Sequence, residues 1–204
     1  RVGEPNGESW GDVPNERRRG GSAWMPASYD ADLNLIFVGV AVPIPWGDVQ
    51  RGTRGGDVLY TNSTLALNAD TGEIDWYFQH IPGGNWDQDH PFERIIVETE
   101  VTPDADAVSW INPDIASDER RKVITGIPGK PGIVWTLDAA TGEFLWATET
   151  NFQNVIVGVD IEGRKGITNP EIDITEIAQR KLVCPTAQGG INWNSVGYSP
   201  QTDR

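Results

Sequence analysis

Ala66-Leu67-Asn68-Ala69-Asp70-Thr71-Gly72-Glu73-Ile74-Asp75-Trp76 returns seventy residues later as Thr136-Leu137-Asp138-Ala139-Ala140-Thr141-Gly142-Glu143-Phe144-Leu145-Trp146. Each copy reads as strand, turn, strand. An Asn or Asp at the turn entry can bond its own backbone, Gly takes positive φ, and the Trp falls on the returning strand. A lone hairpin cannot bury that indole, so each Trp is expected to pack against the next sheet. Gly20-Gly21-Ser22-Ala23-Trp24 and Gly189-Gly190-Ile191-Asn192-Trp193 form a second echo, each with a Tyr (Tyr29, Tyr198) five residues beyond its Trp.

Outward from these repeats, short β-branched and aromatic runs bounded by turn residues predict strands over Leu35–Val42, Ser63–Asn68, Glu73–His80, Ile95–Thr99, Lys122–Gly126, Ile133–Asp138 and Phe144–Glu149. Only Pro170–Leu182 suggests a loop or short helix, because its apolar residues are irregularly spaced. The expected class is all-β, with four-stranded blades arranged radially as in a β-propeller. Seventy residues exceed the usual blade repeat of ~40–50, so an insertion is expected, and the acidic, Pro-bearing stretch 102–121 supplies it.

The 204 residues carry 16 Lys+Arg against 30 Asp+Glu, a net charge of −14 that opposes phosphate backbones and argues against a nucleic-acid partner. A basic protein partner suits it better. No apolar run reaches the ~20 residues of a membrane span. The start at Arg1 lacks an initiator Met and a signal-peptide pattern, and Tyr198 to Arg204 opens a turn without its following strand. These features lead us to expect a chain truncated at both ends. A single cysteine, Cys184, excludes an internal disulfide and a two-cysteine haem attachment, and reads as an inert thiol.

The ordered set of Gly20-Gly21-Ser22-Ala23-Trp24, Pro43-Ile44-Pro45-Trp46, Leu59-Tyr60-Thr61-Asn62-Ser63, both Thr-Gly-Glu-x-x-Trp units, Trp86-Asp87-Gln88-Asp89 and Gly189-Gly190-Ile191-Asn192-Trp193 resembles the pyrroloquinoline quinone (PQQ)-dependent alcohol dehydrogenases. The resemblance implies a segment of an eight-bladed quinoprotein propeller spanning 1–204, a periplasmic location, and oxidation of an alcohol to an aldehyde or ketone. It also implies an ion, Ca²⁺ or a lanthanide, and electron transfer to a cytochrome c-type acceptor.

Residue by residue, the resemblance makes Asp87 the catalytic base and, with Asp89, a metal ligand. An extended segment would turn both carboxylates the same way. A second Asp at position 89 resembles the lanthanide-type members, since a more highly charged hard ion favours another anionic oxygen. Lys130 falls where a cation stands beside the quinone oxygens. Trp24 resembles the indole floor under the cofactor, Ser22 the residue bonding a cofactor carboxylate, and Asn192 and Trp193 a later cofactor-contacting pair. Trp76 and Trp146 are assigned to packing.

One departure stands out: Val42 occupies the position of a metal-ligating Asn, and valine cannot ligate. It favours an alternative in which the propeller is a non-catalytic scaffold for protein–protein interaction. Asp87, Lys130 and Trp24 argue the other way, because a scaffold does not need all three. His80 reads as structural, and His90 as a residue supporting Asp89 from outside the ligand set.

Overall fold

The computed structural model describes residues 3–116 and 119–202. Arg1, positions 117–118 of the expected insertion and the last two residues of the expected turn, Asp203 and Arg204, lie outside them. In chain order the strands are β1 (Arg19–Gly20), β2 (Ser28–Asp30), β3 (Leu35–Gly39), β4 (Pro43–Ile44), β5 (Ser63–Asn68), β6 (Ile74–Gln79), β7 (Ile95–Glu100), β8 (Trp110–Ile111), β9 (Arg120–Gly126), β10 (Ile133–Asp138), β11 (Phe144–Glu149), β12 (Ile156–Asp160) and β13 (Lys165–Thr168). A single helical turn, α1 (Asp48–Arg51), precedes β5.

Two antiparallel meanders, β2-β3-β5-β6 and β7-β9-β10-β11, carry the architecture. Each is one four-stranded blade. The two repeat hairpins are the outer β5–β6 and β10–β11 pairs, and they match atom for atom. Asn68 Oδ1 accepts from the amides of Asp70 and Thr71, as Asp138 Oδ1 does from Ala140 and Thr141. Gly72 and Gly142 sit at φ +73° and +72°, a region that costs any side chain strain. Both hairpins shift register at the same place, after Ala66 and after Thr136.

The blades meet through the first Trp. The Trp76 indole lies on Gly142, where a Cβ would come within 2.4 Å of the ring, and its Nε1–H donates to Ala139 O at 3.2 Å. Phe78 of β6 faces Trp135 and Phe144 of the second blade with ring centroids 5.4 and 6.0 Å apart. One core thus runs between the blades, including Phe37, Ala66, Phe78, Ile124, Leu137 and Phe144. At its margin Lys122 of β9 pairs with Asp30 and Asp32 beyond β2, both at 2.8 Å. Trp146 packs in its own blade, against the cluster of Val101, Val123 and Leu145.

Several elements differ from the sequence reading. The run predicted to Val42 ends as a strand at Gly39, and Val40 continues only as a bridge to His90. The stretch between β7 and β9 forms a two-residue strand, β8, paired with the outer β11. Arg120 and Arg121, assigned to the insertion, belong to β9. The β12–β13 hairpin, unforeseen, joins β6 by one parallel pair, Lys165 with Gln79. Pro170–Ile172 is a 3₁₀ turn capped by Asn169 and is followed by loop. The Gly-Gly echo is not a structural repeat: Gly20 pairs with Pro43 outside the blades, whereas Gly189-Gly190 packs on Lys130.

Candidate functional site

Leaving β6, the chain turns at Pro82-Gly83-Gly84 and passes through Trp86-Asp87-Gln88-Asp89 before β7. This segment is not an ideal strand, because the Gln88 amide donates back to Trp86 O at 2.8 Å, a three-residue turn. The two carboxylates converge nonetheless. A buried lysine from the second blade collects them: Lys130 Nζ lies 2.7 Å from Asp87 Oδ1 and 3.1 Å from Asp89 Oδ2.

The backbone fixes this meeting. Lys130 N–H donates to Asp89 O at 3.0 Å, and Lys130 O accepts from Gly190 at 2.8 Å, in the Gly-Gly turn that precedes Asn192. Gly129 lies so close to the His90 imidazole that a Cβ would come within 2.4 Å of it. Val42 contributes from its backbone, its N–H donating to Asp89 Oδ1 at 3.2 Å. One ammonium serving two carboxylates leaves the cluster short of positive charge. Burial pushes the Asp87 carboxyl up, Lys130 pulls it back, and the charge of Asp89 raises it again.

This donor set suits a hard, oxygen-seeking cation at Asp87 and Asp89. No group of three or more His, Cys, Asp or Glu able to hold a metal occurs among the described residues, so further oxygens would have to come from elsewhere. The profile of the family described as "PQQ: Glucose/ethanol/alcohol dehydrogenase, beta-propeller domain" matches residues 1–155. The chain belongs to this family.

Among relatives of this quinoprotein propeller, the quinohemoprotein alcohol dehydrogenase ADH-IIG of Pseudomonas putida is 32% identical over 197 residues, covering 96% of this chain and 25% of its own length. The 1-butanol dehydrogenase (cytochrome c) of Thauera butanivorans is 35% identical over 162 residues, 79% of this chain and 21% of its own. A solved structure of the Pseudomonas putida enzyme superposes with a TM-score of 0.74 at 31% identity, over 89% of this chain and 24% of that one. The chain spans about a quarter of the length of the curated relatives it matches.

The other residues singled out in the sequence do not join the ion-pair cluster. Ser22 is exposed, and its carbonyl accepts from Ala41, the neighbour of Val42, at 3.0 Å. Trp24 is 46% exposed and packs edge-on to Phe92, whose amide donates to Pro128 O two residues before Lys130. Asn192 turns its side-chain amide to Gln188 O at 3.1 Å, and Trp193 is 67% exposed.

Sequence reasoning missed the buried polar layer that adjoins the Asp87–Lys130–Asp89 cluster through His90. His80 and His90 stack with centroids 4.9 Å apart, and Thr64 Oγ1 binds His80 at 2.8 Å. Arg94 also donates to Thr64 Oγ1, and to His90 O at 2.9 Å. Burial, reinforced by neighbouring positive charge, drives His80 well below its usual range. It takes His90 down to about 3 and Arg94 to about 9. The only available signal was His90 beside Asp89; nothing local marks Arg94 as buried.

Proposed function

We propose that the full-length protein oxidises an alcohol to an aldehyde or ketone with PQQ, and that this reaction takes place at the Asp87–Lys130–Asp89 cluster. The observation carrying this reading is one buried ammonium shared by two carboxylates in a chain of this family. Trp24 and Trp193 expose aromatic surface to a flat ligand, and an ion on Asp87 and Asp89 would free the charge of Lys130 for an anionic one. When bound, the quinone supplies the two-electron oxidant.

The remaining work belongs to this chain. Asp87 Oδ1 is held by Lys130, which leaves Oδ2 to accept the hydroxyl proton of the alcohol as its carbon is oxidised. Asp89, fixed by the Val42 amide, would offer a second anionic oxygen to an ion, Ca²⁺ or a lanthanide, whose charge would keep Asp87 ionised. Lys130 would offer positive charge to balance the negative charge of the reduced cofactor. Ser22, Asn192, Trp24 and Trp193 are the residues that would border the cofactor. The segment belongs to a periplasmic enzyme that passes electrons to a cytochrome c-type carrier, the acceptor named for the Thauera relative, and its acidic surface steers a basic partner. No helix among the described residues is long and apolar enough to cross a membrane.

The test is dye reduction by the full-length protein reconstituted with PQQ and either Ca²⁺ or La³⁺, across a panel of alcohols. Turnover with one ion is expected. Absence of turnover with both would return the protein to the scaffold reading. An unchanged ion preference in Asp89→Ala would remove the lanthanide assignment alone.

A further inference from the structure

The segment that carries Asp87 and Asp89 is held mainly by side chains. Among the described residues its one β-bridge joins His90 to Val40, and Pro91 has no N–H to give. Gln88, His90, Pro91 and Phe92 are nevertheless buried, so their carbonyls need donors from elsewhere. His90 Nδ1 donates to Gln88 O at 2.8 Å, and the Lys130 amide to Asp89 O at 3.0 Å.

Arg94, the buried residue before β7, supplies the rest. Its Nη2 donates to His90 O at 2.9 Å and its Nη1 to Phe92 O. Nε and Nη2 also donate to Thr64 Oγ1 on β5, at 3.0 and 2.8 Å. With both lone pairs of that hydroxyl engaged, its proton goes to His80 Nε2 at 2.8 Å, which ties the guanidinium to the core between the blades. The backbone is fixed as well, because Arg94 O accepts from Ser28 Oγ of β2 at 2.6 Å. Gly39 makes room, since a Cβ there would strike the guanidinium. Among the described residues no carboxylate pairs with Arg94, so burial lowers its affinity for protons unopposed. Burying a cation without a counter-ion is costly. The oxygens it binds in return lie on β5 or in the stretch just after Asp89.

We propose that Arg94 is a positioning residue for the Asp87–Lys130–Asp89 cluster. Its planar fork ties the carbonyls of His90 and Phe92 to Thr64, and so sets the place at which Asp89 meets the Val42 amide and Lys130. His90 passes on the same constraint, because its imidazole lies against Gly129, the residue before Lys130. A lysine at position 94 keeps the charge but loses the rigid fork that serves Thr64, His90 and Phe92 together. The effect of Arg94 on turnover rests on the alcohol-oxidation reading above, whereas its effect on the cluster does not.

The experiment is hydrogen–deuterium exchange mass spectrometry on the full-length protein without cofactor, in the native form and as Arg94→Met, Arg94→Lys and Thr64→Val. Val123→Ala, in the separate cluster of the second blade, is the control. The reporters are the amides of Val42 and Lys130, which donate to Asp89, read against the β10 amides of the same sample. Exchange at the reporters is expected to be about tenfold faster in Arg94→Met and Arg94→Lys, the loss of one hydrogen bond, and to rise less in Thr64→Val. Val123→Ala should leave the ratio of reporters to β10 unchanged. Equal acceleration at the reporters and at β10 would mean that Arg94 serves the fold as a whole, and would overturn the proposal. So would unchanged reporters in Arg94→Lys and Thr64→Val, the two variants that carry the test if Arg94→Met does not fold. In the protein reconstituted for dye reduction, kcat of Arg94→Lys should fall about tenfold with KM for the alcohol unchanged, as a misplaced proton acceptor requires. A raised KM at unchanged kcat would overturn the link to the base. Selective exchange in a protein whose native form turns over no alcohol would keep Arg94 as the holder of the cluster and sink the oxidation reading.

Discussion

Lys130 is the residue on which the site turns, because it is the one ammonium between two partly buried carboxylates. In the metal-free protein, replacing it with Met leaves Asp87 and Asp89 facing each other with no cation between them. We expect the variant to lose about 2–4 kcal/mol of stability, read from chemical denaturation, since breaking a buried pair strands its partners. The Asp87 carboxyl, already raised by burial, then rises further. In the proposed mechanism the base works ionised, so the acidic limb of the pH–rate profile is expected to move to higher pH in any variant that retains turnover. Asp87→Asn keeps the shape and removes the proton acceptor. Its rate should fall about 10²–10⁴-fold with the fold intact by circular dichroism.

At the scale of elements, the twin hairpins allow a matched comparison. Gly72 and Gly142 share the same positive φ, but a Cβ at Gly72 meets nothing within 4 Å, whereas at Gly142 it strikes the Trp76 ring. Gly72→Ala and Gly142→Ala both pay the backbone cost, about 1 kcal/mol. Only Gly142→Ala pays for overpacking as well, a further ~1–3 kcal/mol measurable by thermal unfolding. These hairpins were legible because their information is local: Asn68 or Asp138, a Thr, a Gly and a Trp within one turn. The β12–β13 hairpin was not read because Gly158 interrupts its alternation and Val157 and Ile167 are exposed, so no periodic face announces it. In the site, the Asp87-x-Asp89 spacing hinted at convergence, and the structure brings the pair together through an irregular turn. Lys130 was found through resemblance alone. The bond from Gln88 Nε2 to Pro185 O and the burial of Arg94 depend on contacts between distant segments, which no local pattern encodes.

Over the whole molecule, stability should depend on pH through the imidazoles held neutral between the blades. His80 and His90 are buried with lowered affinity for protons, so below the ordinary histidine range the unfolded chain binds protons that the folded one does not. The sign is therefore loss of stability on acidification. It begins near pH 6.5 and continues toward the His90 value of about 3. The folding constant should fall roughly tenfold per pH unit for each imidazole in that window. Denaturant midpoints at pH 7.5, 6.0 and 5.0 measure this, and in His80→Gln the slope should be shallower by one proton.

The two-residue strand β8 has a consequence out of proportion to its length. By pairing Trp110 and Ile111 with Ala147 and Trp146, it occupies hydrogen-bonding positions on β11 that would otherwise offer a template to any passing chain. The detour between β7 and β9 thus works as a guard against lateral self-association. Replacing residues 103–116 with a short Gly-Ser link should leave the Asp87–Lys130–Asp89 cluster in place yet raise concentration-dependent self-association above that of the native protein in sedimentation velocity.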